Sequence, residues 1–559
     1  MQKNKQMQKN KRQNVKNVRS VIRQTVTGYA GLSLGILLAV AGAIVTALLP
    51  PWILGSIVDT ITTGNTVPVA LVILYFAFTV LTGLTESLRE GLLTVFGQKI
   101  THALRSSMME KYTNLTAGEL TKQEPGTIVS RFVGDVDTVE NLFTSGIISM
   151  FADACKIISI LVVIWLKNRG LAIVLLVLLP FLYWFTRAVQ KNMLKAQIEN
   201  RCAVGRASGH VPETLHNIRT IHTLGKERYM EQRYDEYIAE SYRAVARTNF
   251  YDAIYSPVIL ILNAIVVAVV MLFSASGNAK VLTLFGMSAG TAVAVINYIS
   301  QIFTPVESLG MEIQTIQSAI AGVHRINEFY ALEELPERVR NLEIPVTTEE
   351  EMPFVELQNV TFAYEDDSRK ILHHVSFKVY PGEQVTLLGR TGAGKSTVFK
   401  LLLGLYQPGE GKVLIQGRDA FQIPENEKRS LYGYVEQTFH RVPGTVKDQI
   451  TLYDDSFTME EVREAARIAG LDATIEQLEK GYDTPCTQEI FSQGQWQLLS
   501  IARAAVAKPK LLLLDEITAN LDAQTEEEVL QALKRASEGR TVISISHRVN
   551  AETGRIIAI

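Results

Sequence analysis

Gly389-Arg390-Thr391-Gly392-Ala393-Gly394-Lys395-Ser396 stands between an apolar run, Gln384 to Leu388, and a helix-favouring stretch, Ser396 to Tyr406. The spacing is that of a phosphate loop, G-x-x-x-x-G-K-[ST]. With a strand before it and a helix after it, successive backbone N–H groups and the positive end of the helix dipole converge on one point, which suits bound phosphate. In that arrangement Lys395 holds the β- and γ-phosphates of a nucleotide, and Ser396 a Mg2+ ion.

Outward from this loop the composition divides the chain. At 559 residues and 47% hydrophobic content it is too long for one core, and its long uncharged runs all precede residue 330. Residues 1–340 carry 32 Lys/Arg against 24 Asp/Glu, and residues 341–559 carry 23 against 33, so the net charge of −2 conceals +8 followed by −10. The first 28 residues hold eight basic side chains and no acid. Such an arm suits anionic headgroups on the cytoplasmic side, although its repeated Met-Gln-Lys-Asn-Lys, at 1–5 and 7–11, reads equally well as a solvated tail. Cys155, Cys202 and Cys486 form no C-x-x-C pair, which argues against a disulfide or metal framework.

Six stretches, 29–55, 67–90, 145–166, 171–189, 252–275 and 286–310, are apolar enough to cross a bilayer, which takes about 20 residues of helix. An even number puts both termini on one side. The connections Arg89–Asn141 and Arg187–Arg247 are long, charged and helix-favouring, whereas Ser56–Thr66 has no Lys or Arg, Lys167–Gly170 has two and Ser274–Met287 has one. The positive-inside rule then places the long connections and both termini in the cytoplasm. Turn signals interrupt each long connection, at Glu124-Pro125-Gly126 and at Ser208-Gly209-His210-Val211-Pro212, because proline cannot continue a hydrogen-bond ladder. A short helix across each tip, near Glu124–Arg131 and Pro212–Ile218, would dock on a soluble domain.

The expected organisation is a basic arm over 1–28, an α-helical membrane domain over 29–330, an acidic, Pro-containing linker over 331–352 and an α/β nucleotide-binding domain over 353–559. In the last of these, Phe354–Tyr364 alternates like a strand, and Gln384–Leu388, Leu511–Leu514 and Thr541–Ser546 read as buried parallel strands. Leu511-Leu512-Leu513-Leu514-Asp515-Glu516 ends an apolar strand in two carboxylates, at the place where open α/β sheets bind ligands. Asp515 suits the water shell of Mg2+ and Glu516 suits deprotonating an attacking water. In Phe491-Ser492-Gln493-Gly494-Gln495, Ser492 and Gln495 have capping-box spacing. That can be an ordinary helix start, or an uncharged N-terminus presented to a terminal phosphate.

The ordered set of phosphate loop, Ser-x-Gly-Gln signature, Asp515-Glu516 strand end and downstream His547 resembles the ATP-binding cassette (ABC) family. Six preceding spans with two long cytoplasmic excursions look like an ABC exporter half-transporter, and the resemblance covers nearly the whole chain. It implies that Gly389, Gly392, Gly394, Lys395, Ser396 and Thr397 hold ATP, that Tyr364 stacks on adenine, and that Ser396, Gln437 and Asp515 serve Mg2+. It further implies that Glu516 is the catalytic base, that His547 contacts the γ-phosphate, and that Gln437 joins the metal and the lytic water to the membrane domain. Ser492, Gly494 and Gln495 would close over the ATP of a second subunit, and Asp522, in Ala519-Asn520-Leu521-Asp522, would communicate between opposed sites. The signature departs from the family's usual Leu-Ser-Gly-Gly-Gln, and the preceding Thr484–Ile490 lacks the usual Val-Gly-Glu-x-Gly stretch.

The function implied is ATP-driven export of an amphipathic small molecule, drug or peptide by alternating access in a dimer of half-transporters. The partner would be an identical or related half-transporter, and no nucleic acid is involved. The setting would be a bacterial cell membrane with the nucleotide-binding domain in the cytoplasm. An importer built on the exporter fold and an ATP-gated channel or regulatory subunit are the alternatives, the latter opposed by an intact Glu516. Within the third span Asp153 and Lys156 lie three residues apart, and a mutually neutralising pair is expected there, since charges in a membrane helix are costly unless paired or wet. Asn263 and Asn297 are weaker candidates for cargo contact.

Overall fold

The computed structural model describes residues 17–167, 169–274, 288–335, 352–364, 369–390, 392–515, 521–545 and 554–559. The described residues of each expected span fall in a long helix of their own. After α1 (Val18–Gly28) come α2 (Ala30–Thr62) and α3 (Val69–Thr113), then a short α4 (Ala117–Lys122). These are followed by α5 (Pro125–Lys167), α6 (Arg169–His216), a short α7 (Ile218–Leu224), α8 (Glu227–Ser274) and α9 (Ala289–Ala331). Three of them, α2, α3 and α5, are long and apolar enough along their described residues to cross a membrane. The 45 residues of α3 extend about 68 Å at 1.5 Å per residue, more than twice the ~30 Å hydrocarbon layer. Such a helix must run on into water, and its charged C-terminal half is built for that.

The chain divides into two compact units, the first made of the described residues of 1–113 and 124–332, the second of those of 114–123 and 333–559. In the second unit α4 is tied to the later chain. The Leu335 N–H donates to the Asn114 carbonyl at 2.8 Å, Thr116 N–H to the Glu333 carbonyl at 3.2 Å, and the Thr121 hydroxyl lies 3.3 Å from that of Tyr406. The first tip helix is thus Ala117–Lys122, upstream of the expected Glu124–Arg131, because Pro125 takes the first position of α5, where its missing N–H costs nothing. The second tip also moves. Pro212 lies inside α6, and the chain turns at Gly225, whose φ of 56° is left-handed, so one lost donor did not end a 48-residue ladder. Residues 336–351 of the expected linker lie outside the described residues.

In the first unit Ile160 and Ile164 of α5 pack with Val295, Ile299 and Ile302 of α9, all buried. Lipid tails are as apolar as these side chains, so close fit rather than escape from water holds such helices together. Gly55 and Gly290 supply that fit, since a Cβ on Gly290 would fall 1.8 Å from the Gly55 carbonyl oxygen. Two π-bulges, Arg131–Asp135 and Leu142–Gly146, interrupt α5, and the first carries Asp135 to Arg325 of α9.

The second unit holds two sheets. β1 (Val355–Phe362), β2 (Leu372–Val379), β4 (Glu410–Ile415) and β5 (Arg418–Asp419) form an antiparallel sheet in the order β2-β1-β4-β5. The parallel sheet has the order β6-β7-β8-β3-β9, from β3 (Gln384–Leu388), β6 (Tyr432–Val435), β7 (Leu511–Asp515), β8 (Thr541–Ile545) and β9 (Arg555–Ala558). β7 is four leucines before Asp515, and β8 carries Val542, Ile543 and Ile545, because both faces of these strands are covered. Among the helices of this unit are α10 (Lys395–Leu402), α11 (Met459–Ala469), α12 (Gln493–Ala505) and α13 (Ala523–Ser537), with shorter ones at Glu425–Leu431, Val446–Thr451 and Asp472–Glu476.

Candidate nucleotide site

Parallel strands gather their carboxyl ends on one edge. Here the phosphate loop leaves β3, Gln437 follows β6, and Asp515 closes β7. Ile545 of β8 is level with both Leu387 and Asp515, so the loop and the carboxylate stand two strands apart, about 10 Å at the usual spacing.

The loop turns on Gly394, with φ 98°, into α10. Its missing Cβ matters twice, because such an atom would also lie 2.5 Å from the Leu372 side chain. Lys395 is 5% exposed and its ammonium donates to the carbonyls of Gly389 at 2.8 Å and Arg390 at 3.3 Å. Among the described residues it has no carboxylate partner. A buried cation held only by dipoles requires an anion, and the N-terminus of α10 adds its own positive field there. The residues present therefore fit a nucleotide phosphate.

Tyr364 stands over the first turn of α10. Its hydroxyl lies 3.2 Å from that of Thr397 and accepts from the Lys400 ammonium at 3.4 Å, while Phe362 and Tyr406 meet its ring edge to face. Asp515 accepts from the Tyr434 hydroxyl at 3.4 Å, and burial foremost pushes that phenol's pKa up, so Tyr434 remains a donor. The described residues contain no cluster of three or more His, Cys, Asp or Glu that could hold a metal. Mg2+ beside a nucleotide does not need one, because phosphate oxygens and water fill most of its shell and one or two protein oxygens suffice. Ser396 is exposed at the start of α10 and Asp515 is half-buried, a donor set of that kind. Glu516, His547 and the Ala519-Asn520 pair lie outside the described residues.

Ser492 caps α12 as its spacing foretold. Its hydroxyl accepts from Gln495 N–H at 3.3 Å, and the Gln495 side chain accepts from Ser492 N–H at 2.9 Å. Asp522 caps α13, accepting from Thr525 N–H at 3.0 Å and from its hydroxyl at 2.7 Å.

Four further residues tie Gln437 to α12, and sequence reading missed them. The Gln497 amide donates to the Gln437 carbonyl at 2.6 Å. Phe439 stacks on Trp496 with centroids 5.2 Å apart. The Arg503 guanidinium lies 4.1 Å over the Phe439 ring and donates to the Gln449 and His440 carbonyls at 2.6 and 2.9 Å. Burial pushes the Arg503 pKa down to about 10. The signal available was a tryptophan directly after Gln495.

Residues 32–306 match the family model of the ABC transporter transmembrane region, and residues 372–519 match that of the ABC transporter. An uncharacterized ABC transporter ATP-binding protein of Bacillus subtilis, YfiC, is 29% identical over 97% of this chain and 89% of its own. A fatty acid ABC transporter ATP-binding/permease protein of Mycobacterium tuberculosis is 29% identical over 82% of this chain and 72% of its own. Among solved structures, a bacterial Atm1-family ABC exporter with ATP bound superposes with a TM-score of 0.76 at 26% identity, covering 97% of this chain and 94% of that one.

Proposed function

This chain belongs to the ABC transporters, with the membrane region and the ATPase of an exporter half-transporter fused in one polypeptide, and on that premise we propose that it exports an amphipathic small molecule, drug or peptide by alternating access in a dimer. ATP hydrolysis coupled to transport is the family's activity. The observation that carries the reading for this chain is the Lys395 ammonium, buried at the carboxyl edge of β3 with carbonyls as its partners.

In this reading the backbone of Gly389, Gly392 and Gly394 wraps the β-phosphate, Lys395 neutralises the β/γ oxygens, Thr397 supports the loop, and Tyr364 meets adenine. Ser396, Gln437 and Asp515 would hold Mg2+, which when bound spreads the charge developing on the phosphate oxygens. Glu516 takes a proton from water as its oxygen attacks the γ-phosphorus, the bond to the leaving ADP oxygen breaks, and His547 donates toward the γ-phosphate. Ser492, Gly494 and Gln495 of one subunit cover the ATP of the other, with Asp522 between the two sites, so closure of the dimer depends on nucleotide and its loss reverses closure. Domains over 1–28, 29–330, 331–352 and 353–559 and a cytoplasmic nucleotide-binding domain belong to the same proposal. A fatty acid transporter among the relatives favours an amphipathic cargo.

Glu516→Gln tests it. ATP binding should persist while hydrolysis and ATP-dependent accumulation of cargo in inside-out vesicles fall to background. A strictly monomeric protein that splits ATP at full rate would overturn the dimer mechanism.

A further inference from the structure

At one end of the first unit a small pocket, partly open to its surroundings, lies between the last turns of α2 and α5 and the first turns of α9, with Trp52, Asp59, Val163, Lys167, Ala294 and Tyr298 among its walls. This is the end from which the short connections Ser56–Thr66 and Lys167–Gly170 run, and it belongs neither to the nucleotide site nor to the tip helices.

Its hydrogen-bonding capacity is lopsided. Asp59 spends both carboxylate oxygens on the start of α9, accepting from the Ser288 hydroxyl at 2.7 Å and from Gly290 N–H at 2.8 Å, where the positive helix end offsets its charge. The Tyr298 hydroxyl donates to the Leu48 carbonyl at 2.6 Å. Lys167 differs. Its ammonium lies 5.7 Å over the Trp52 ring and makes no ion pair among the described residues, so its donors are open to the pocket. Arg169 opens α6 two positions on. Two cations here run against the charge bias that keeps Lys and Arg on the cytoplasmic side. Of the remaining wall Ser56 and Thr291 are polar, while Val163, one helical turn before Lys167, and Ala294 give it an apolar step.

We propose that this pocket holds the anionic head, a carboxylate or phosphate, of an amphipathic molecule whose chain lies along Val163 and Ala294. Lys167 receives the head, Trp52 shields the contact from water, and the apolar step sets the direction of the chain. The proposal rests on the export reading only for the word cargo, since a resident lipid carries the same chemistry.

The chain has four tryptophans, and replacing Trp165, Trp184 and Trp496 by Phe leaves Trp52 as reporter. The full-length protein in phosphatidylcholine vesicles is titrated with bromostearate and with its uncharged methyl ester. The acid should quench Trp52 saturably and the ester only in proportion to its amount in the bilayer. Lys167→Gln should weaken the saturable phase about tenfold or more, the loss expected for a charge-assisted contact, and Lys167→Arg should restore it. Val163→Phe, which fills the pocket without changing charge, should abolish it. Repeating the titration in phosphatidylglycerol vesicles separates the sources. A saturable phase that survives assigns the pocket to cargo, and one displaced by the lipid while still dependent on Lys167 assigns it to a bilayer headgroup. Equal quenching by acid and ester, or no change in Lys167→Gln with the protein still monodisperse, overturns the proposal. ATP-dependent uptake is read in matching vesicles of the protein that keeps all four tryptophans, so absent transport there, with Lys167-dependent quenching intact in the reporter, counts against the export reading alone.

Discussion

A Cβ placed on Gly494 would lie 2.0 Å from the Cγ2 methyl of Thr525, so the glycine in the signature segment is fixed by the start of α13 as firmly as by any ligand. Gly494→Ala must push α12 and α13 apart, and overpacking of this kind costs about 1–3 kcal/mol. Thr525→Ser removes that methyl while keeping the hydroxyl that donates to Asp522. The double variant should therefore recover most of the melting temperature lost in Gly494→Ala, measured by thermal unfolding. No recovery would mean that the clash with Thr525 is not what Gly494 avoids.

The link between α12 and Gln437 makes a second expectation. Gln497→Ala leaves the Gln437 carbonyl without its 2.6 Å donor and loosens a residue proposed to serve the metal and the lytic water. Misplacing a positioning group lowers turnover more than affinity, so ATPase turnover should fall about tenfold while ATP affinity changes about twofold or less. Equilibrium binding and steady-state hydrolysis on one preparation decide it. A loss confined to affinity would place Gln497 in binding rather than positioning.

What the sequence made legible follows from the range of the interactions. The phosphate loop and the Ser492–Gln495 capping box are closed within eight residues of chain, so spacing alone foretold them. The six apolar runs were visible because a bilayer sets helix length and composition together. Contacts between distant residues left no such trace. Gln497 meets Gln437 across 60 positions, and Arg325 meets Asp135 across 190. Pro212 misled because a proline's local cost was weighed without the ladder on either side of it, whereas the turn came at a left-handed glycine, Gly225.

The Arg325–Asp135 pair offers the third prediction. Arg325 Nε lies 3.0 and 2.9 Å from the two carboxylate oxygens of Asp135, and the hydrogen bonds to Asp135 foremost hold the Arg325 pKa above its usual value. Asp135 is 5% exposed, so Arg325→Ala strands a buried carboxylate. Removing one partner of a buried pair costs about 3–5 kcal/mol, and the half-exposed guanidinium reduces this to about 2. Arg325→Lys should recover only part, because an ammonium cannot make the forked contact. Melting temperatures of the three proteins in one detergent check the order, and equal values for wild type and Arg325→Ala would show that the pair is decorative.

Acid should weaken the nucleotide-binding unit in a defined window. The Arg555 guanidinium, 2.6 Å from Glu383, holds that carboxyl below 4.5. The Thr458 N–H does the same for Glu461, and the Thr525 N–H holds Asp522 below 3.8. A depressed carboxyl binds fewer protons folded than unfolded, so its contribution is complete above the unfolded value and disappears as pH falls through the folded one. Stability should thus stay level down to about pH 5 and decline progressively below about 4.5. Glu383→Gln removes one titrating group. That variant should melt lower than wild type near pH 7 and lose less on acidification, the two curves approaching each other toward pH 3. Parallel curves across that range would show that Glu383 titrates alike in the folded and unfolded chains, and the acid limb would then have to come from other carboxylates.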